Sequence, residues 1–329
     1  MTEVRPPSLY KTNHMLKTAE CVSPSHPDKL CDRISDTILD AYLSQDPNSR
    51  VAVEAVGSHG KIFVTGEVTS KAQGIDICAL VESIVGTQFD ISVHVVEQSP
   101  EIAKGVDTGG AGDQGIMTGY ATRETDTYMP KEYELARTLC QALYAQYPYD
   151  GKTQVTIHAD GTIHSVVASF QNAQKADLLA LVQSVIPGAR EYHVNPAGDW
   201  NVGGFDADAG LTGRKIIIDN YGPEVAVGGG AFSGKDPSKV DRSGAYMARR
   251  VAVDYLEKYP QAETVLVKLA YAIGHPEALM AVAIVDGVPE DVVGYDLTPS
   301  GIKSFLQLDT PTYADTAAWG HFGRGFTWK

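Results

Sequence analysis

Apolar and polar positions along the chain change period repeatedly, and the changes divide it into three similar passages. From Asp28, the stretch DKLCDRISDTILDAYLSQD sets Leu30, Ile34, Ile38 and Leu39 on one stripe at helical spacing. Two alternating runs follow, RVAVEAV and KIFVTGEVT, joined by Gly57-Ser58-His59-Gly60, which predicts a β-hairpin. ALVESIV then predicts a helix and ISVHVV a further strand. The second passage opens at Pro130 with the helical PKEYELARTLCQALYAQ. TQVTIHA and TIHSVVASF flank Asp160-Gly161, a hairpin dipeptide, and ADLLALVQSVI (helix) and REYHVN (strand) complete the passage. In the third, VDRSGAYMARRVAVDYLEKY is helical, TVLVKLAYAI and EALMAVAIVDG are strands around Gly274-His275-Pro276, and SGIKSFLQL is a closing helix. KIIID, Lys215 to Asp219, reads as an apolar strand outside this scheme.

The passages start roughly a hundred residues apart. Helix, hairpin and helix, three times over, predict an α+β protein of three similar units. Each unit is an antiparallel sheet with helices on one face, arranged about a pseudo-threefold axis. The units divide at 14–104, 105–204 and 205–329. Glycine-rich segments lie between them, Gly105 to Tyr120 and Pro196 to Gly213, and such connections on a rigid scaffold carry function.

A chain of 329 residues has ample core for these units. Its hydrophobic content of 43% and its lack of a long apolar run describe a soluble protein without a membrane segment or signal peptide. The net charge of −14 argues against nucleic acid or membrane as a partner. Arg214 to Arg250 is an exception, with seven cations to four acids, which suits a small anionic ligand. Cys21, Cys31, Cys78 and Cys140 form no C-x-x-C pair, and are expected to be reduced core residues of a cytoplasmic protein.

The most concentrated chemistry is Gly228 to Ser243, GGGAFSGKDPSKVDRS. Glycines let the backbone turn N–H groups onto a ligand. Asp236-Pro237 predicts a helix start, and Lys235, Lys239 and Arg242 add charge, so the stretch predicts a phosphate site. Gly229 to Lys235 fits the P-loop spacing, but Asp236 stands where that motif needs Ser or Thr. Upstream, Glu20 and His26-Pro27-Asp28-Lys29 set carboxylates beside cations at a helix start. Carboxylates suit Mg²⁺, and cations face phosphate oxygens. Glu54 and Glu67 sit on facing strands of the first hairpin, and Trp200 lies between glycine loops, able to stack on a base or to fill core.

HPDK, GAGDQG, DGKTQVT, GLTGRK, GGGAFSGKDPSKVDRS and TAAWGHFGR, in this order, closely resemble S-adenosylmethionine synthetases from about Lys17 to the C-terminus. The resemblance implies three intertwined domains, a homodimer that often pairs into a tetramer, ATP and L-methionine as substrates, two Mg²⁺ and an activating K⁺. It implies that His26 contacts ATP near the bond that breaks, and that Asp28, Glu20 and Asp241 ligate Mg²⁺ and Glu54 K⁺. Glu67, Gln98, Asp113 and Lys239 fall on the methionine side, with Asp208 touching both substrates. Asp150, Gly151, Lys152, Asp199, Trp200, Arg214, Lys215, Ala231 and Lys235 fall on the ATP side, and His26, Lys152, Arg214 and Lys235 carry the catalytic charge. The chain departs from the family at Ser25, Pro24 and Asp199, has Trp200 where Phe is common, and is shorter between Asp107 and Gly112, where the family has a mobile lid. It resembles a shortened member. A P-loop NTPase and a non-catalytic nucleotide-binding relative are the alternatives. Glu67 and Gln98 belong to the first repeat and Lys235 to the third, hence to different sheets, which predicts that a dimer brings them together across its two-fold axis.

Overall fold

The computed structural model describes residues 16–98, 109–310 and 312–329. The chain runs β1 (Leu16–Val22), α1 (Pro27–Gln45), β2 (Arg50–Ser58), β3 (Lys61–Thr69), α2 (Ile77–Val85) and β4 (Asp90–Val96). It continues with β5 (Gly115–Thr122), α3 (Lys131–Gln146), β6 (Gly151–His158), β7 (Ile163–Phe170), α4 (Lys175–Val185) and β8 (Glu191–Val194). Last come β9 (Gly210–Leu211), α5 (Ile216–Asp219), α6 (Val240–Lys258), β10 (Thr264–Tyr271), β11 (Met280–Val285), β12 (Val288–Asp291), α7 (Pro299–Phe305) and α8 (Tyr313–Trp319).

The strands form three sheets of four, ordered β4-β3-β2-β9, β1-β6-β7-β8 and β12-β11-β10-β5. Each hairpin stays within its own passage, but the edge strand beside it comes from another. β1, ahead of the first passage, pairs with β6 of the second. β5, ahead of the second helix, pairs with β10 of the third. β9 returns to β2 of the first. This cyclic exchange ties the three units together. It follows from local burial: Met117 and Ala121 on β5 are buried with Tyr246, Met247 and Ala248 of α6 and have no core of their own passage to enter.

The α+β class and the three similar units match the expectation, and four local features differ from it. β4 lies parallel to β3 and β8 parallel to β7, because a helix crosses over between each pair. Gly115 to Tyr120 is strand rather than connection; Gly105 to Thr108 of that segment lie outside the described residues. KIIID is the short helix α5, not a strand, since a brief apolar run has no decisive period and the Asp219 amide closes on the Lys215 carbonyl. Asp236-Pro237 opens a turn, in which Asp236 accepts from Ser238 N, and the helix begins at Val240. Cys21, Cys31 and Cys140 are buried, whereas Cys78 is exposed.

Candidate active site

One helix organises the charged residues. Proline at its first position and His26 as its N-cap start α1, and Leu30, Ile34, Ile38 and Leu39 turn toward the core as the pattern predicts. Between them, Asp28, Asp32, Asp36 and Asp40 recur every fourth residue, so they form a column on the helix, about 6 Å from rung to rung. Each carboxylate accepts backbone amides of a distant segment. Asp28 takes Leu211 N at 2.9 Å, Asp32 takes Gly213 N at 2.8 Å, and Asp36 takes Gly234 N at 2.8 Å. Asp40 takes Tyr313 N and Ala314 N. The column thus fixes, in order, the two ends of the GLTGRK segment, the Gly-Lys loop and α8. Sequence reasoning missed it; the four-residue recurrence of aspartate was the available signal.

At the first rung, Asp28 is buried beneath Lys215, which donates to Oδ2, and Arg214, whose Nε lies 3.4 Å from Oδ1. Burial raises the Asp28 pKa, but Lys215 and the Leu211 amide outweigh it and hold the carboxyl below its usual range. His26 is buried, and its Nδ1 accepts from Asp28 N at 3.2 Å, so Nε2 carries the ring proton and is a donor. Desolvation first, then the charges of Lys215 and Lys152, lower its pKa to about 3. His26 is therefore a neutral hydrogen-bond donor near neutral pH. Lys152, exposed on β6, and Asp208, exposed after a short turn, lie within electrostatic reach of it. Asp150 accepts from Gly204 N at 3.0 Å, and burial raises its pKa. Gln171, another residue that the sequence did not single out, joins this corner: its Oε1 accepts from Asp150 N and its Nε2 donates to Asn201 O. Trp200 is half-buried, close enough to Gly203 that a Cβ there would lie 2.8 Å from the indole. Asp199 turns back to accept from Asn195 Nδ2 at 3.2 Å. Gly151, at the start of β6, is buried.

A second group forms where the Gly-Lys loop is laid along β2. Lys235 bridges Ala52, Val53 N donates to Gly234 O, and Asp236 N donates to Val51 O. Gly234 has φ +80°, and a Cβ there would run into the Val53 carbonyl, so only glycine lets the loop lie so close. Ala52 also opposes Glu67, and Glu67 opposes Val96 on β4. Gln98 follows two residues later, with its Oε1 buried and unbonded. Glu67 and Lys235 therefore share one row of one sheet in a single chain, which corrects the expectation that they belong to different sheets. Lys235 Nζ donates to Asp241 at 2.6 Å, and Lys239 donates to Asp236. Half-buried Ala231 lines a small cleft with Gly213 and Gly230.

Two cations counted as phosphate-facing are instead buried structural residues. Arg242 pairs with Asp36 at 2.7 and 3.0 Å beneath the loop. Lys29 sits between Asp32 at 3.0 Å and Asp219 at 2.5 Å; burial opposes its charge, but the two carboxylates hold its pKa above the usual range. Glu20 on β1 and Glu54 on β2 are exposed strand residues, and Asp113 is exposed with Oδ1 accepting from Gln114 N. The P-loop arrangement is absent among the described residues, because no strand leads into Gly229 and no helix starts after Lys235.

Among the described residues no hydrogen bond or ion pair joins the Asp28 group to the Lys235 group. Their supports on α1, Asp28 and Asp36, are two rungs apart, about 12 Å. Nor does any group of three or more His, Cys, Asp or Glu among the described residues suit a metal by itself. The donors nonetheless fit a hard cation. Asp28 and Asp241 each hold a lysine through a carboxylate oxygen, and magnesium is typically held by one or two carboxylates plus substrate phosphates.

Comparison with known proteins gives the same reading over the whole chain. Models of the N-terminal, central and C-terminal domains of S-adenosylmethionine synthetase match residues 14–99, 108–200 and 202–329. S-adenosylmethionine synthase of Brachyspira hyodysenteriae is 41% identical over 385 positions, covering 95% of each chain. That of Parafrankia sp. is 43% identical over 383 positions, covering 95% of this chain and 96% of its own. Alignments longer than the 329 residues here mean that these relatives carry insertions that this chain lacks. No helix among the described residues is long and apolar enough to cross a membrane. With all three domain models matched in order, the chain belongs to the S-adenosylmethionine synthetase family, as a shortened member.

Proposed function

We propose how this methionine adenosyltransferase joins its two substrates and which residues do so. The methionine sulfur attacks the ribose C5′ of ATP, the C5′–O bond breaks, and tripolyphosphate leaves. Water then cleaves the tripolyphosphate to phosphate and diphosphate. A thioether has no proton to lose, so the first step needs no base. It needs alignment and a setting for a polyanion. Neutral His26 donates through Nε2 to the leaving oxygen, while Lys152, Arg214, Lys215 and Lys235 surround the phosphates. Trp200 stacks on adenine, with Asp150, Gly151, Asp199 and Ala231 along the nucleoside. Glu67 and the unbonded Gln98 oxygen receive the methionine ammonium, Lys239 its carboxylate, and Asp113 and Asp208 line the ribose end. Two Mg²⁺ held by Asp28, Asp241 and Glu20 would neutralise the triphosphate, and K⁺ at Glu54 would stiffen the sheet beside it. Buried reduced Cys21, Cys31 and Cys140 suit a cytoplasmic setting.

The observation that carries this reading is the separation of the charges into two groups at the ends of one open sheet face. Ala52, Glu54 and Val56 point outward on β2, and Val56 continues an exposed apolar row with Phe63 and Leu211. The Asp28 group adjoins the Val56 end and the Lys235 group the Ala52 end, about 13 Å apart along the strand. A second copy laid face to face, with its two-fold axis near Glu54, covers the apolar row. It also brings the Asp28 group of one protomer to the Lys235 group of its partner. A homodimer then holds two complete sites, each shared.

The test is direct. Purified protein given ATP, Mg²⁺, K⁺ and methionine should yield S-adenosylmethionine by mass spectrometry. Phosphate release without methionine would favour an NTPase, and nucleotide binding without either product a non-catalytic relative.

A further inference from the structure

We propose that Asp36 and Arg242 are positioning residues that set where the Lys235 ammonium stands. The inference rests on the transferase reading above. Arg242 spends its donors on the loop and its supports: Nη1 on Asp36, on Phe232 O at 3.0 Å and on Lys235 O at 3.2 Å; Nη2 on Asp36 and Thr316. Asp36 completes the grip by accepting Gly234 N. Nε reaches the Tyr246 hydroxyl at 3.0 Å, which in turn lies 2.7 Å from His321 Nδ1, and the guanidinium rests on the Tyr313 ring. From the other side β2 holds Gly234 O and Asp236 N. The backbone of residues 232–236 is thus gripped from both sides, and the Lys235 side chain leaves the turn toward Asp241.

The pair is buried and its charges cancel, so it acts on the triphosphate through geometry rather than through its own field. Stability alone does not require it, because a buried ion pair is often replaceable by apolar side chains. Apolar side chains could not bind three backbone groups of one turn. A guanidinium fork can, and an ammonium at the same position cannot.

A double-mutant cycle with Lys235→Ala tests this. Arg242→Lys keeps the charge and removes the fork. It should lower kcat roughly 10- to 100-fold, the scale of a misplacement of about 1 Å, with the methionine KM nearly unchanged. In the Lys235→Ala background the same change should cost less than about twofold, because its target is gone. Losses that multiply, or an Arg242→Lys enzyme with wild-type kcat, overturn the proposal. If Arg242→Lys loses its cooperative thermal transition, Tyr246→Phe, which removes one hydroxyl, takes its place in the same cycle. Calorimetric binding of inorganic tripolyphosphate with Mg²⁺ gives a readout independent of turnover. Weaker binding in the variant, but not in the Lys235→Ala background, supports the clamp even if no S-adenosylmethionine forms, in which case the functional reading alone falls. Turnover without coupling overturns the clamp alone.

Discussion

The two charged groups at the ends of β2 are built in opposite ways. The Asp28 group gathers residues from four separate stretches, 26–28, 150–152, 208 and 211–215, and burial sets its chemistry: His26 neutral, Asp28 ionised beneath two cations. The Lys235 group comes mostly from one stretch, 230–241, and glycine geometry sets it, with the loop pressed onto a strand. One group is defined by solvation and the other by backbone shape. The same helix supports both, yet neither can reach the other within a chain, so the comparison turns on how they meet.

The largest expected effect breaks or sustains that division outright. His26→Ala and Lys235→Ala homodimers should each be nearly inactive. If each site joins the Asp28 group of one protomer to the Lys235 group of its partner, a mixed dimer of the two has one doubly damaged site and one intact site. Differently tagged variants, co-expressed and isolated as the mixed species, should recover about half the wild-type activity. Glu67→Ala with Lys235→Ala damages the same group in both chains, and that mixed dimer should stay inactive. The reverse pattern would place Glu67 and Lys235 in different sites despite their common row.

Next in size is the charge itself. Lys235→Ala should lower kcat roughly 10²-fold, the scale for removing one preorganised donor from developing negative charge, with a far smaller change in methionine KM. A near-normal rate would leave the Gly-Lys loop without its phosphate role. On the Asp28 side, Trp200→Ala removes a stacking face. Losing about 1–3 kcal/mol of stacking should raise the ATP KM about tenfold or more, while tripolyphosphate binding is retained. An unchanged ATP KM would assign the indole to packing.

How much of this was legible in sequence follows the same division. GGGAFSGKDPSKVDRS announced its loop because glycine and lysine spacing is local information. The hairpins were equally plain, since period-two alternation needs no partner to be recognised. The strand exchange was not, because the destination of β1, β5 and β9 depends on which core accepts them. The roles of Lys29 and Arg242 were misread for a related reason. A cation beside phosphate residues and a cation buried under them have the same sequence, and only the positions of Asp32, Asp219 and Asp36 separate the cases.

The smallest effect comes from the aspartate column, whose rungs repeat the comparison in miniature. Asp28 and Asp36 hold cations, and Asp32 lies against Lys29. Asp40 has the amides of Tyr313 and Ala314 as its hydrogen-bond partners. Desolvation raises its pKa from 3.8 to about 6, in spite of those amides. The folded state therefore holds this proton more tightly than the unfolded state does. Its stabilisation is complete below about pH 4 and is lost as the pH rises through 6, by at most about 3 kcal/mol. Asp40→Asn keeps an acceptor for one amide and cannot ionise. Relative to wild type, its thermal midpoint should rise progressively between pH 4 and 7, whatever the offset at pH 4. A difference that stays flat across that range would mean that Asp40 is ionised in the fold throughout, and that α8 is held by a charged rung after all.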